Sequence, residues 1–234
     1  MPLPKRLFTH LIPLLVFSIV LCGACQLFRT QSSEERLSLP GLESVVVIGF
    51  RAAMSERDAP RAARNPITGT PPSVAPVSGE AVSKMTAKLF KGVQKVGGLK
   101  LISPGKARGV YSSLISSDAE LTEFEMIQQI GQAFSADAIL LGYLYRWSER
   151  VGSDLAVDWP ASVSFDLSLV RPEDGVILWR GKFDKTQRSL SENLLEWDTF
   201  VRGQGRWMTA EKLAELGLED MLRRMPIGGN ESKE

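Results

Sequence analysis

Histidine and cysteine are nearly absent from this chain of 234 residues. The one histidine is His10, the cysteines are Cys22 and Cys25, and neither type occurs from residue 26 onward. The part of the chain that can fold as a domain therefore holds no Ser-His-Asp or Cys-His nucleophile system and no histidine or thiolate zinc site. It cannot build a disulfide framework either, so its stability must come from a packed core. An excess of one charge is lacking too. Setting Lys5 and Arg6 aside, the basic residues nearly balance the 27 acidic ones, which leaves no electrostatic footprint for nucleic acid. Gly203-Gln204-Gly205 is no dinucleotide fingerprint, because it lacks the preceding strand, the third glycine and the later acidic residue. No internal repeat is visible. The sequence calls for no cofactor, no metal and no catalytic residue.

Chemistry that needs only carboxylates survives these exclusions. Asp154, Asp158, Asp166, Glu173, Asp174 and Asp184 gather late in the chain. Asp166 falls on the polar side of an alternating strand, and Glu173 and Asp174 fall in a turn, so solubility and turn chemistry account for them. Asp154 to Asp158 lacks the alternate ligands and central glycine of a calcium loop.

What is present begins with the amino terminus. Met1 to Arg6 is short and basic, Leu7 to Gly23 is almost wholly apolar, and Ala24-Cys25 follow. This is the order of a secretory signal peptide. Leu21-Cys22-Gly23-Ala24-Cys25 resembles the bacterial lipobox, with Cys25 in the position that becomes diacylated and amino-terminal. Cys22 stands where the lipobox prefers an aliphatic residue, and bulky Leu21 makes Cys22 itself the weaker lipidation candidate. The alternative is an uncleaved single-span anchor, for which the apolar run is near the lower limit of about 17–20 residues. Acyl chains on Cys25 would hold the protein stably on a membrane. In proteobacterial lipoproteins a residue other than Asp after the cysteine sends the protein to the outer membrane, and Gln26 meets that condition. The resemblance thus implies an outer-membrane lipoprotein whose domain faces the periplasm.

The expected organisation is a lipoprotein signal peptide over 1–24, a flexible tether over 25–41, one α/β domain over 42–226 and a frayed tail over 227–234. Glu43 to Phe50, with four β-branched residues in a row, reads as a buried strand. The proline-rich stretch 51–78 reads as a long loop. Val82, Met85, Leu89, Val93 and Val96 mark an amphipathic helix whose lysine face is solvated, ended by Gly97-Gly98. Leu99 to Ser103 reads as a short strand stopped by Pro104-Gly105. Ser117 with Glu120 has capping-box spacing, and Leu121, Phe124, Ile127, Ile130 and Phe134 form the buried stripe of a second helix. Gly131 within it suits a close packing contact.

The run Ala138 to Trp147 is apolar on both faces, as in the middle of a sheet. Val163, Phe165, Leu167 and Leu169 alternate with Ser162, Ser164, Asp166 and Ser168, which predicts one face in a core and one in water. Arg171 to Gly175 is a turn, and Val176 to Phe183 returns as a hairpin strand. Ser189 with Glu192 has capping-box spacing for a short helix through Leu195, and Thr209 caps a last helix with Leu213, Leu216, Met221, Leu222 and Met225 inward. The order is β-α-β-α-β-β-β-α. It predicts an α/β fold with a single mixed sheet and helices packed against it.

All five tryptophans, Trp147, Trp159, Trp179, Trp197 and Trp207, fall late in the chain. Trp147 and Trp179 belong to strands. Trp159, Trp197 and Trp207 lie in loops or at helix ends, with Arg202 and Arg206 nearby. Core packing and an interaction surface both fit these residues.

Taken together, the lipobox, the tether, Val45-Val46-Val47-Ile48-Gly49-Phe50, Gly97-Gly98-Leu99-Lys100-Leu101-Ile102, Phe134 to Gly142, and Gly175-Val176-Ile177-Leu178-Trp179-Arg180-Gly181 resemble a group of envelope lipoproteins. The group shares the fold of the amino-terminal domain of the Tol-system translocation protein. It includes the curli-secretion, penicillin-binding-protein activator and Pel-polysaccharide lipoproteins. The resemblance spans roughly Glu43 to Thr186 and implies non-enzymatic work, either self-assembly or binding of an envelope protein. The alternatives are a small-ligand or glycan-binding module using exposed tryptophans and, last, a carboxylate-only hydrolase.

The lipid assignment has a direct check. Cys25→Ser is expected to abolish incorporation of labelled palmitate and to shift the protein out of the outer-membrane fraction, whereas Cys22→Ser leaves both unchanged. Labelling that persists in Cys25→Ser would refute it.

Overall fold

The computed structural model describes residues 39, 41–54, 67, 74–116, 121–187 and 206–227. The signal peptide, most of the tether, the greater part of the 51–78 loop, Ser117 to Glu120, the Ser189–Leu195 segment, Gly203 to Gly205 and residues 228–234 lie outside them. None of the described helices is long and apolar enough to cross a membrane.

Two helical layers enclose one mixed sheet. The elements are β1 (Ser44–Ala52), α1 (Gly79–Val96), β2 (Lys100–Ile102), α2 (Pro104–Ser116), α3 (Glu123–Phe134), β3 (Ala138–Ser148), β4 (Val151–Gly152), β5 (Val157–Trp159), β6 (Ser162–Val170), β7 (Ile177–Thr186) and α4 (Ala210–Arg224). The main sheet runs β2-β1-β3-β6-β7, and β4 pairs with β5 alone. β1 is parallel to β2 and β3, while β6 and β7 are antiparallel additions. The α/β fold and mixed sheet are as expected. The order differs by one helix, α2, and by the short β4–β5 hairpin.

β3 sits in the centre because both its faces are apolar. Ala138, Leu140 and Leu144 join the core beneath α1 and α4, which contribute Met85, Leu89, Val93, Leu213 and Met221. Ile139, Leu141, Tyr143 and Tyr145 face the other layer with Ala107 of α2 and Ile127 and Ile130 of α3. The lysine face of α1 is solvated as expected at Lys84, Lys91 and Lys95, while Lys88 is half-buried. Lys88 reaches Glu211 and Glu215, and Lys84 reaches Glu211, so these side chains link α1 to α4.

Three other expectations need correction. Pro104-Gly105 does not merely stop β2; it opens α2, since proline is well placed in a first helical turn, where its missing N–H costs nothing. The capping box of the next helix is Thr122 with Glu125, later in the chain than the expected Ser117 and Glu120. Leu121 therefore precedes α3, and Phe124 lies in its exposed first turn rather than in a buried stripe. Finally, β6 does not turn its polar side to water. Ser164, Asp166 and Ser168 are as buried as the alternating apolar residues, and side chains of the neighbouring strands, among them Tyr145 and Arg146 of β3 and Arg180 of β7, reach over that face. Asp166 is 2% exposed, and its Oδ2 accepts a hydrogen bond from the Tyr145 hydroxyl at 2.8 Å. Arg180 stands 3.6 Å from the same carboxylate. Burying a carboxylate is tolerable only with such partners.

Gly49 shows how closely α1 sits on β1. It lies at a register shift in the β1–β3 ladder with φ +94°, and Thr86 of α1 accepts a hydrogen bond from Phe50 N–H at 2.9 Å. A Cβ on Gly49 would stand 2.3 Å from Thr86 Cγ2. Gly131, the close packing contact read from the sequence, likewise has no room for a Cβ against Pro172. Gly49→Ala is expected to lower unfolding free energy by roughly 2–4 kcal/mol, combining backbone strain with overpacking. Urea denaturation measures it, and a loss below about 0.5 kcal/mol, the range of neutral surface changes, would mean that Thr86 simply yields.

Candidate interaction surface

The two ends of the main sheet differ in character. At one end β3 runs out through Ser148, and the chain makes the β4–β5 hairpin before returning as β6 at Ser162. At the other end lie the start of β3, the β6–β7 turn and the entry of the chain at Leu39, whose N–H donates to the Pro226 carbonyl at 3.2 Å.

The hairpin is short but well fixed. Gly152 at φ +109° leaves β4, and a Cβ there would meet the Ala156 carbonyl at 2.6 Å. Ser153 N–H donates to the Ala156 carbonyl, while the Ser153 hydroxyl oxygen accepts from Leu155 N–H and Ala156 N–H. This is a serine turn, in which the side chain replaces a backbone acceptor.

The segment before α4 braces it from outside. Trp207 N–H donates to the Asp154 carbonyl at 2.9 Å, Arg206 pairs with the Asp154 carboxylate at 2.8 Å, and Arg150 donates to the Trp207 carbonyl. Glu149 accepts from Trp147 Nε1 and from Ala210 N–H, at the positive end of α4. Gln187, buried at the end of β7, accepts from Met208 N–H at 2.7 Å and donates to the Arg206 carbonyl at 3.0 Å.

A fixed hairpin would ordinarily turn apolar side chains inward. Here Leu155 is 77% exposed, Trp159 69% and Val151 52%. Trp159, Trp207 and Arg206 are thus brought to one end of the molecule. Trp159 projects outward, Trp207 is half-buried with its backbone tied to the hairpin, and Arg206 is exposed on the Asp154 pair. Trp147 and Trp179 are partly buried against the core. Trp197 and Arg202 lie outside the described residues. The sequence reading missed Leu155 and Val151, since Val151 to Trp159 is too short and mixed to signal a hairpin. Gly152-Ser153-Asp154 was the available cue.

The opposite end carries a second feature. A cleft of about 400 Å³ is lined by Leu39, Leu42, Asp137, Arg171, Pro172 and Leu178, among others. Burial pushes the Asp137 carboxyl up, but hydrogen bonds from the Ser44 hydroxyl and from the N–H groups of Ser44 and Glu43 outweigh it and hold it below the usual carboxylate range. Asp137 thereby pins the starts of β1 and β3 together. Beside the cleft, Phe124, Val176 and Ile177 are exposed, and Phe124 lies against Gly175.

Neither end assembles catalytic geometry from the residues considered at the sequence level. Asp154 and Asp174 are engaged with arginines, and Asp166 is buried under Tyr145 and Arg180. Among the described residues no three His, Cys, Asp or Glu side chains converge as a metal site.

No protein-family model matches the chain, and no curated protein matches it. Solved structures do resemble its fold. One is the PelC dodecamer from Paraburkholderia phytofirmans, at TM-score 0.44 and 10% identity, covering 82% of this chain and 93% of that one. Another is the LpoB C-terminal domain from Salmonella enterica, at 0.40 and 12%, covering 66% and 92%. A third is the lipoprotein GNA1162 from Neisseria meningitidis, at 0.39 and 16%, covering 69% and 96%. These neighbours belong to the group of bacterial envelope lipoproteins that the sequence motifs resemble. At such scores the likeness carries no activity over to this chain.

The bracing of the hairpin makes a separate prediction. Gln187→Ala strips buried partners from Met208 N–H and the Arg206 carbonyl, at a cost of about 1–3 kcal/mol. It should also speed limited proteolysis within 151–159. Unchanged stability and cleavage would show that Arg206 and Trp207 hold the hairpin without Gln187.

Proposed function

We propose that this protein is a lipid-anchored component of the bacterial cell envelope. Acylated Cys25 holds it in the outer membrane, and its α/β domain works in the periplasm without catalysis by binding protein partners or copies of itself. One observation carries the binding role: a braced hairpin that exposes Leu155, Trp159 and Val151. Exposing apolar side chains on a rigid support has a cost in water that a partner's apolar surface removes. Tryptophan is the side chain most often found at the energetic centre of such contacts. The acyl anchor would concentrate the domain at the membrane and raise the effective concentration of any partner held there. Glycan binding is less well supported, because Trp159 is the one strongly exposed indole among the described residues.

A photo-reactive amino acid at Leu155 tests the reading in cells. We expect discrete cross-linked species from Leu155 and none from the same probe at Lys91, an exposed position on α1. Trp159→Ala is expected to reduce them by roughly thirtyfold, the effect of losing a central aromatic anchor. Equal cross-linking from both positions would sink the role of the hairpin.

A further inference from the structure

The near balance of charge over the whole chain conceals a segregation. No acidic residue occurs from Ala81 to Ser117, a stretch that holds seven basic ones, and all 27 acidic residues fall elsewhere. Two of the seven, Lys84 and Lys88, pair with Glu80, Glu211 and Glu215. The other five, Lys91, Lys95, Lys100, Lys106 and Arg108, are exposed and make no ion pair among the described residues.

The fold lines these five cations along one edge. β2 is the outermost strand, beside β1. α1 ends just before it over one face of the sheet, and α2 starts just after it over the other. The basic side chains therefore run from the last turns of α1, across the start of β2, to the first turns of α2. Exposed Gly97, Gly98, Gly105 and Gly109 stand between them and have no side chains to mask the charges. The amino-terminal end of α2, with no acidic residue in its first turn, adds partial positive charge.

Composition and position both point to the partner. Four of the five cations are lysine, and none of the exposed large hydrophobic side chains lies among them. Protein interfaces are depleted in lysine and centre on aromatic or apolar anchors, whereas an anionic lipid surface needs only clustered point charges. As for position, Lys100 is the register partner of Ser44, and its N–H donates to the Glu43 carbonyl at 2.8 Å. The patch thus adjoins the place where the chain enters β1. Acidic Asp137 at the same end is already engaged by the Ser44 hydroxyl and by two N–H groups. Residues 25–39 extend to about 50 Å at most, which keeps the patch within reach of a membrane that holds Cys25.

We infer that Lys91, Lys95, Lys100, Lys106 and Arg108 form a membrane-facing patch that binds the anionic phospholipid headgroups of the leaflet in which Cys25 is anchored. The inference rests on the reading of Cys25 as acylated and adds an orientation to it, since an acyl chain alone does not decide which face the domain turns to the bilayer. An acyl chain with a polybasic surface is a two-signal attachment. It would leave the β4–β5 hairpin, at the end of the sheet away from the start of β1, directed into the periplasm.

The test reconstitutes the full acylated chain into vesicles of phosphatidylcholine alone or rich in phosphatidylglycerol. Acetylation rates of single lysines are then read by peptide mass spectrometry. Lys91, Lys95, Lys100 and Lys106 are expected to react at least tenfold more slowly on the anionic vesicles, because each basic residue near such a surface contributes about fivefold to binding. Lys182, exposed on the opposite edge strand β7, should react equally on both. Added salt should erase the difference by screening. Lys95→Gln/Lys100→Gln/Arg108→Gln alters exposed side chains only, and circular dichroism checks that it folds. It is expected to weaken the contact roughly a hundredfold and to return Lys91 and Lys106 towards their rates on neutral vesicles, whereas Lys182→Gln changes nothing. Equal labelling on both vesicles overturns the inference, and flotation with the neutral ones then leaves the acyl anchor standing. Failure to float with neutral vesicles, together with protection on anionic ones, removes the anchor and keeps the patch. Protection by soluble polyglutamate and by neither vesicle assigns the patch to an acidic polymer and overturns the membrane as its partner.

Discussion

Strand β3 turns neither face to water, and the rest of the domain follows from that constraint. A strand with apolar side chains on both faces needs a helical layer on each side and a paired strand at each edge. α1 and α4 cover one face, α2 and α3 the other, and β1 and β6 flank it. Because β1 runs parallel to β3, the chain between them must cross over through helices. Because β6 runs antiparallel, a short connection suffices. That connection is the hairpin. Its position at the far end of the sheet from Leu39 is thus a consequence of the pairing of β3.

The polar side of β6 shows what the arrangement costs. Asp166 is held by Tyr145 and approached by Arg180, while the Ser164 and Ser168 hydroxyls have no hydrogen-bond partner among the described residues. Nearby, Arg51 joins Glu123 of α3 at 2.7 Å and lies over the Tyr111 ring of α2, tying β1 to both helices of that layer. Burial, then the Glu123 carboxylate, raises the pKa of the Tyr143 hydroxyl, so that group stays neutral in any physiological medium. One face of the sheet is therefore packed by hydrocarbon and the other partly by a polar layer. The apolar surplus is displayed at the two ends instead.

This distribution links fold to proposed function. Both faces of β3 are committed to helices, and the strongly exposed apolar side chains among the described residues lie toward the ends of the sheet instead. The hairpin end is stiffened by contacts from β3, β7 and the start of α4, through Glu149, Gln187 and Asp154. Preorganisation of this kind lowers the entropy lost on association. The Asp137 knot does the same for the cleft end by fixing β1 against β3.

The sequence by itself determined the mixed sheet, the places of β1, α1, β3, β6, β7 and α4, and the absence of histidine and thiol chemistry beyond residue 25. These follow from periodicity and composition, which are local properties of the chain. It did not determine α2, because proline and glycine signal a stop as readily as a start and Ala107 is its one fully buried apolar residue among those whose burial is described. It did not determine the fate of Ser164 and Asp166, because alternation identifies two faces but not what covers them. Trp159 stood out as a candidate on residue type alone, yet Leu155 and Val151 did not. Their exposure depends on a hairpin fixed by residues more than fifty positions away, such as Arg206 and Trp207. Only the tertiary structure decided which apolar residues stay in water, because burial depends on partners brought together across the sequence.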